Sequence, residues 1–386
     1  SGSGIWTIPL NCGFVASFSK KKLLEEEINS DYKLYKDPKK ILDDIKKLKP
    51  DVIGLSFYVW NENLNKHIFD YAKKLNPNVL TVGGGPHFTN INANLEGAKE
   101  FFSEVPSCDI YVINQGEKGF VEILKRFNGV NKNIQKLKDQ TIIGSIVNNS
   151  RANKINNVKI CDNHICVGDN IGTLSDLNEI PSPYLNGMLD EFFDGPYMPI
   201  VETNRSCPYR CTFCAWGIGT TKLARFNEER VLEEIQYISE RCKKASTLFI
   251  ADANFGILER DAIFAAKMYE CHRKYGFPQN VDVQWNKTRP DRVLKTAAEF
   301  KGIAAVGASM QSINEDVLSA IKRKNLTATQ ILQLQEELKN LGVEEKKFTE
   351  LIIGLPNETK ASHVEANKRM IDYGFEVFNY NLHLLP

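Results

Sequence analysis

The chain has 386 residues, of which 42% are hydrophobic and 25% charged, the balance of a globular protein long enough for two or three domains. Lys and Arg number 49 against 48 Asp and Glu, a net charge of +1, so no bulk electrostatic pull toward nucleic acid or a membrane surface is expected. No apolar run is long enough to span a bilayer, and Ser1-Gly2-Ser3-Gly4 reads as a linker and not a targeting signal. Nine cysteines, an odd count without a disulfide-like framework, fit thiolate ligation of a metal in a reducing cytoplasm.

Strand and helix patterns alternate over residues 5–130. Asp37 is placed to N-cap a helix with Pro38 at its first position and Ile41, Leu42, Ile45 and Leu48 on one face. Residues 52–57 form a short apolar run, as expected of a buried parallel strand. A second helical pattern carries Leu64, Ile68, Tyr71, Ala72 and Leu75. A strand at 79–82, the turn Gly83-Gly84-Gly85-Pro86, a strand at 109–113 and a helix with Phe120, Val121, Leu124 and Phe127 complete a doubly wound, Rossmann-like α/β domain. His87, after the glycine run, reads as structural or solvent-facing.

Residues 131–195 break the alternation. They are rich in Asn, Lys and Asp, with β-like runs at 141–147 and 158–161, and the stretch 179–184 is polar with two prolines. This predicts a linker with a β-hairpin. Cys161 and Cys166 flank His164 on it; a metal site is conceivable there, but no fourth ligand is visible and an ordinary loop is the simpler reading.

From about residue 198 the βα alternation returns, with strands expected at 198–203, 247–251, 281–285, 302–308, 348–353 and 377–384. One intervening helix carries Val231, Leu232, Ile235 and Ile238 behind Asn227 as N-cap, with Glu228 and Glu229 in its positive first turn. Another carries Ile331, Leu334 and Leu338 and stops at Gly342. Six βα repeats over 196–386 predict a partial (β/α)6 barrel, short of the eight of a full one.

The stretch Asn204-Arg205-Ser206-Cys207-Pro208-Tyr209-Arg210-Cys211-Thr212-Phe213-Cys214 follows the first barrel strand, at the end where barrels collect their chemistry. A four-iron cluster takes a ligand on each iron, so the three thiolates of Cys207, Cys211 and Cys214 leave one iron open to a small molecule. A structural zinc site would want a fourth ligand nearby. None of the six His is close in sequence, and the next cysteine, Cys242, lies inside a helical pattern.

This CxxxCxxC spacing, with Phe213 just before the last cysteine, resembles the signature of the radical S-adenosylmethionine (SAM) superfamily. The resemblance implies a [4Fe–4S] cluster whose open iron is chelated by the amino and carboxylate groups of SAM. The cluster passes an electron into the sulfonium, the C–S bond breaks, and a 5′-deoxyadenosyl radical abstracts hydrogen from an unactivated carbon. It also implies SAM contacts, with Phe213 among them. Asp252 and Asn254 stand where the family often has Gly-Gly-Glu against the SAM amino group; the alternative is an Asx-turn that ends the strand. Gln284, Ser309 and Gln311 are candidates for the ribose or carboxylate. The run Gln311-Ser312-Ile313-Asn314-Glu315, followed by Val317, Leu318, Ile321 and Arg323, resembles the family's fourth βα unit. Arg323 either pairs with a carboxylate or is a solvated helix-end arginine. The run from Glu350 to Pro356 resembles the fifth strand, with Gly354 letting the backbone approach adenine and Ile353 as apolar contact; the alternative is a strand-end glycine.

The N-terminal domain resembles the cobalamin-binding domain in front of many radical SAM cores, through Leu55-Ser56-Phe57-Tyr58-Val59-Trp60-Asn61, Gly83-Gly84-Gly85-Pro86-His87 and Gln115-Gly116-Glu117. The implied contacts are Ser56, Tyr58, Asn61, Gly83, Gly84, Gly85, Pro86, Gly116 and Glu117, small residues after parallel strands letting a flat macrocycle approach the backbone. The Asp-x-His-x-x-Gly motif, whose His ligates cobalt from below, is absent; the early loop reads Leu10-Asn11-Cys12-Gly13-Phe14-Val15. The alternative is an α/β domain that does not bind cobalamin. Together the resemblances imply cobalamin-dependent C-methylation of a small molecule or peptide, with an electron donor such as flavodoxin or ferredoxin and no nucleic acid. Two alternatives are a radical SAM enzyme that rearranges, cyclises or oxidises without methylating, and a methylthiotransferase. The latter needs three more N-terminal cysteines, and before residue 130 only Cys12 and Cys108 occur. Related proteins usually continue past the sixth strand with a region that closes the site, so further sequence is expected beyond Leu384-Leu385-Pro386.

Overall fold

A computed structural model describes residues 7–87, 95–149, 161–162, 165–214, 222–340 and 348–383. The chain divides into two compact units, built mainly from Pro9–Ser175 and from Tyr184–Leu384.

The N-terminal unit opens with α1 (Leu10–Leu24), which takes in the stretch 10–15 expected as a loop. Leu10, Phe14 and Phe18 recur at helical spacing and are buried. The helix escaped notice because Pro9 offers it no side-chain cap. Helix α2 (Pro38–Leu48) starts as expected, with the Lys39 amide donating to Asp37 Oδ1 at 2.9 Å. Leu48 is exposed and not part of its buried face. There follow β1 (Val52–Ser56), α3 (Glu62–Leu75), β2 (Leu80–Gly84), α4 (Leu95–Glu104), β3 (Ile110–Val112), α5 (Gly116–Gly129) and α6 (Ile134–Lys138). Strands β4 (Ser145–Asn148), β5 (Cys161–Asp162) and β6 (Ile165–Val167) complete the unit.

The sheet runs β1-β2-β3-β4-β6-β5, parallel through β3 and antiparallel beyond it. The hairpin expected in a linker therefore extends the N-terminal sheet. Both faces are covered, as a parallel sheet requires. Ile53, Phe57, Phe69, Phe101 and Tyr111 pack on one, and Leu80, Val82, Ile110, Ile123 and Phe127 on the other. His87 is buried against the rings of Phe57 and Phe101, the structural role expected of it. Cys166 is buried in the sheet, and His164 lies outside the described residues.

The C-terminal unit contains β7 (Ile200–Val201), the short antiparallel pair β8 (Asn204–Arg205) and β9 (Ala224–Arg225), α7 (Glu228–Arg241), β10 (Thr247–Phe255) and α8 (Asp261–Tyr275). It continues with β11 (Asn280–Trp285), α9 (Pro290–Phe300), β12 (Gly307–Gln311), α10 (Glu315–Ala320), α11 (Ala328–Asn340), β13 (Phe348–Ile353), α12 (Lys360–Asp372) and β14 (Glu376–Asn381). Strands β7, β10 and β11 form one parallel sheet and β12, β13 and β14 another, joined through the parallel bridge Val281–Ala304. These are the six strands in chain order of the expected partial barrel. The fourth starts at Gly307 and not at 302, because Lys301 and Gly302 take left-handed φ values of 50° and 89° to end α9. Asn227 precedes α7 without capping it through its side chain. Gly342, expected to stop α11, lies outside the described residues.

Candidate cluster and cofactor site

The cysteine loop leaves the barrel through the β8–β9 neck, and a buried carboxylate holds that neck. Asp252, near the end of β10, is 1% exposed. It accepts from the Thr203 and Asn204 amides at 2.8 and 3.2 Å, from Asn204 Nδ2 at 2.7 Å and from the Thr203 hydroxyl. Burial nevertheless pushes its pKa up to about 7, against the pull of these donors. Arg260 adds a bond from Nη2 to the Thr203 carbonyl at 2.9 Å. Asp252, expected to contact SAM or to end the strand in an Asx-turn, has both its oxygens bonded to Thr203 and Asn204, just before the cysteine loop.

Ser206 turns the chain at φ 80°, and Cys207 and Cys211 follow at 5% and 7% exposure with Cys214 half-buried. Asn254, two residues beyond Asp252, donates from Nδ2 to Cys207 Sγ at 3.1 Å, while its Oδ1 is buried without a partner. Arg323 is buried and not the solvated alternative. Its Nε donates to Asn325 Oδ1 at 2.7 Å, Nη2 to the Ser309 carbonyl, and Nη1 lies 3.9 Å from Cys211 Sγ. All three cysteines act electrostatically on Arg323, whose pKa is lowered chiefly by burial. The Thr212 amide donates to the Ile321 carbonyl at 3.0 Å, and Phe213 packs on Val317, Leu318, Ile321 and Leu355.

Among the described residues no group of three or more His, Cys, Asp or Glu is arranged to hold a single metal ion. A cube makes a different demand, since each thiolate binds its own iron. Three thiols with an N–H donor and a guanidinium beside them suit an anionic cluster. The orphaned Asn254 Oδ1 is a buried acceptor beside Cys207 with no partner in the protein. The residues therefore fit a [4Fe–4S] cluster with SAM.

The other expected SAM contacts are scattered in state. Ser309 spends its hydroxyl on Glu350 Oε2 at 2.6 Å. Gln311 is buried and ends β12 at a left-handed φ of 64°, whereas Gln284 is exposed on β11. Ile353 is exposed, and Gly354, at φ 94°, ends β13 in a conformation that favours glycine.

Sequence reasoning missed a support on the opposite flank. Tyr209, inside the cysteine loop, bonds through its hydroxyl to Asn286 Nδ2 at 3.1 Å and to the Thr288 hydroxyl. Asn286 Oδ1 in turn accepts from the amides of Thr288 and Arg289, shaping the turn after β11. Lys287 sits between them with its ammonium 4.8 Å from the Tyr209 ring centre. The rule that chemistry collects at strand C-termini pointed to this turn.

In the N-terminal unit, the β1 end is ordered by Asn61, whose Nδ2 donates to the Ser56 carbonyl at 2.9 Å and whose Oδ1 accepts from the Tyr58 amide at 2.8 Å. Asn11 reaches Ser56 Oγ and Tyr58 Oη. Tyr58 stacks on the exposed Trp60, and Pro86 is exposed. A Cβ at Gly83 would lie 2.9 Å from the Tyr111 ring, and one at Gly85 would lie 2.7 Å from the Phe57 carbonyl at φ 108°. The protein's own atoms fill the space on the Cβ side of both glycines. At Gly84 a Cβ would meet only ordinary contacts, from 3.6 Å. Gly116 opens α5 against Val15, and Glu117 is buried in its first turn.

Residues 201–378 match the radical SAM superfamily and residues 15–124 the B12 binding domain. The chain belongs to the cobalamin-dependent radical SAM family. It is 30% identical, over 98% of its length, to the cobalamin-dependent radical SAM methyltransferase TokK of Streptomyces tokunonensis. The same figures hold for the 2-(S-pantetheinyl)-carbapenam-3-carboxylate methyltransferase of Streptantibioticus cattleyicolor. The chain spans about half of these relatives, 54% of each. Its fold resembles that of the radical SAM methyltransferase TsrM of Kitasatospora setae, solved with cobalamin and a [4Fe–4S] cluster. The TM-score is 0.63 at 14% identity, covering 96% of this chain and 72% of that one. No helix of this family member, among the described residues, is long and apolar enough to cross a membrane.

Proposed function

We propose that this chain is the cofactor-binding part of a cobalamin-dependent radical SAM methyltransferase acting on carbon of a small molecule. The observation that carries the SAM-cleaving half is the junction at Asn254, one amide atom on a cysteine sulfur and the other a buried acceptor without a partner. The methyl-transfer half rests on the 30% identity to two proteins named as methyltransferases, one with a carbapenam carboxylate in its name.

Cys207, Cys211 and Cys214 would hold the cluster, and Asn254 with Arg323 would orient the amino and carboxylate groups of SAM. Ile353 and Gly354 would face the adenine. Ser56, Tyr58, Asn61, Gly84 and Pro86 would border the cobalamin. When bound, the cluster supplies the electron that splits SAM, and cobalamin carries the methyl group. The protein's own part is positional: Asp252, Arg260 and Tyr209 fix the cysteine loop, and the apolar patch under Phe213 backs it.

A non-methylating reading is favoured by one observation, 24% identity over 90% of the chain to the anaerobic magnesium-protoporphyrin IX monomethyl ester cyclase of Cereibacter sphaeroides. Anaerobic reconstitution with iron, sulfide, SAM and hydroxocobalamin separates the readings. The expected result is a four-iron cluster, 5′-deoxyadenosine and bound corrinoid. If neither cluster nor 5′-deoxyadenosine forms, the SAM-cleaving assignment fails. If both appear without corrinoid, the methyltransferase assignment fails and the non-methylating one stands.

A further inference from the structure

Lys287 has no role in the contacts implied for SAM, yet it stands beside the cysteine loop, against Tyr209. It follows the strand β11 in a turn that Asn286 fixes from both ends. The Asn286 amide donates to the Phe255 carbonyl at 2.8 Å, and its side chain takes the Thr288 and Arg289 amides and reaches Tyr209. The lysine ammonium lies over the ring of Tyr209, a residue between the first two cysteines. Burial first and Arg323 second lower its pKa, with Cys211, Cys207 and Cys214 acting in the opposite direction.

A reduced cluster carries one more negative charge than an oxidised one. In a partly buried site a nearby cation lowers the free energy of the reduced form more than that of the oxidised form, and net charge and sulfur hydrogen bonds are the levers a protein has on cluster potential. We propose that Lys287 sets the reduction potential of the cluster held by Cys207, Cys211 and Cys214, raising it so that a low-potential flavin or iron–sulfur donor reduces it. The step is the uptake of one electron from that donor by the cluster; no covalent bond forms or breaks. Lys287 acts through the cluster and is a positioning charge, not a catalytic residue. The inference rests on the cluster assignment above.

The test is an anaerobic redox titration of the reconstituted 386-residue chain, without SAM or cobalamin, followed by the paramagnetic signal of the reduced cluster. Wild type is compared with Lys287→Met, Lys287→Gln and Lys287→Arg. The expected result is full iron content in all, with the reduced-to-oxidised ratio at fixed potential about tenfold lower in the Met and Gln variants, a downward shift of roughly 59 mV for one electron. Lys287→Arg, which keeps the charge, restores the wild-type potential. Wild-type potentials in both neutral variants overturn the proposal. So does loss of the cluster from both while wild type and Lys287→Arg retain it, since the lysine is then a structural support of the loop. A shift seen only when SAM is added overturns it too, by assigning the lysine to SAM. Failure of wild type to take up four-iron cluster is a different result, and sinks the cluster assignment itself.

Discussion

The cysteine loop and the strand ends of the N-terminal unit make opposite use of buried atoms. Around the loop, polar side chains converge and one acceptor, Asn254 Oδ1, is left without a partner. At the ends of β1 and β2, the closest approaches are made by the protein to itself: Tyr111 fills the space beside Gly83, and the Phe57 carbonyl crowds Gly85. The first region gathers polar groups around a loop of three cysteines. In the second, a glycine run that looks like room for a ligand is in large part room for neighbouring side chains. A site built from specific functional groups thus declares itself more plainly than one built from backbone access.

The contrast is broken most severely at the thiolates. Replacing any of Cys207, Cys211 or Cys214 by Ala is expected to take iron content and 5′-deoxyadenosine formation to background, because a two-thiolate site leaves two irons unligated. Iron and sulfide assays after reconstitution check this. An intact cluster in any one variant would deny that cysteine its place.

Next in size is Asp252→Asn. An amide there turns a donor toward the donors of Thr203 and Asn204, at a cost of about 1–3 kcal/mol from unsatisfied buried groups. Iron loading should fall with it. The pH dependence has a definite sign. The folded-state pKa of Asp252 is raised to about 7 by burial, above its ordinary value of 3.8. The stability it contributes is therefore fully present below pH 3.8 and is lost as pH rises through about 7. Thermal melts of the metal-free protein between pH 5 and 8 should show that decline in wild type and a flatter profile in the variant.

Gly85→Ala tests the other region. With φ at 108° and a carbonyl 2.7 Å from the new methyl, the cofactor-free protein should lose about 1–3 kcal/mol in denaturant unfolding. Unchanged stability with lost corrinoid binding would restore the ligand-approach role. Smaller again is Asn254→Ala, which removes one charge-assisted acceptor. SAM affinity should weaken about tenfold by calorimetry on the clustered protein, one such bond being worth about 1.4 kcal/mol. An unaltered affinity would leave the orphan oxygen without a ligand.

These differences follow what a sequence displays. Cys207, Cys211 and Cys214 were legible because thiolate ligands are restricted to one residue type at short spacing, and the six strands because their apolar runs are punctuated by caps and glycines. The roles of Asp252, Tyr209 and Lys287 were not, since each depends on partners more than thirty residues away in the chain that only the folded barrel brings close. The glycines were ambiguous for a related reason: nothing in Gly83-Gly84-Gly85 says whether a ring of the protein or of a ligand will occupy the space above it. Helix α1 was missed at the local level, where its Pro9 start carries no capping signal.

The smallest expected effect on stability separates the two uses of that run. Gly84 sits between the two crowded glycines, but a methyl placed there meets Val112 at no closer than 3.6 Å, ordinary contact distance. Gly84→Ala should therefore change unfolding free energy by no more than about 0.5 kcal/mol, the range of substitutions that disturb no packing. If the β2 end borders the corrinoid, the same methyl stands in the macrocycle's way, and hydroxocobalamin retention after reconstitution should drop while the melting curve stays put. A variant that keeps both would move the corrinoid contact away from β2, toward the β1 end that Asn61 orders. A variant that loses both would place Gly84 with Gly83 and Gly85 as a packing glycine, and the run as a whole would then belong to the sheet.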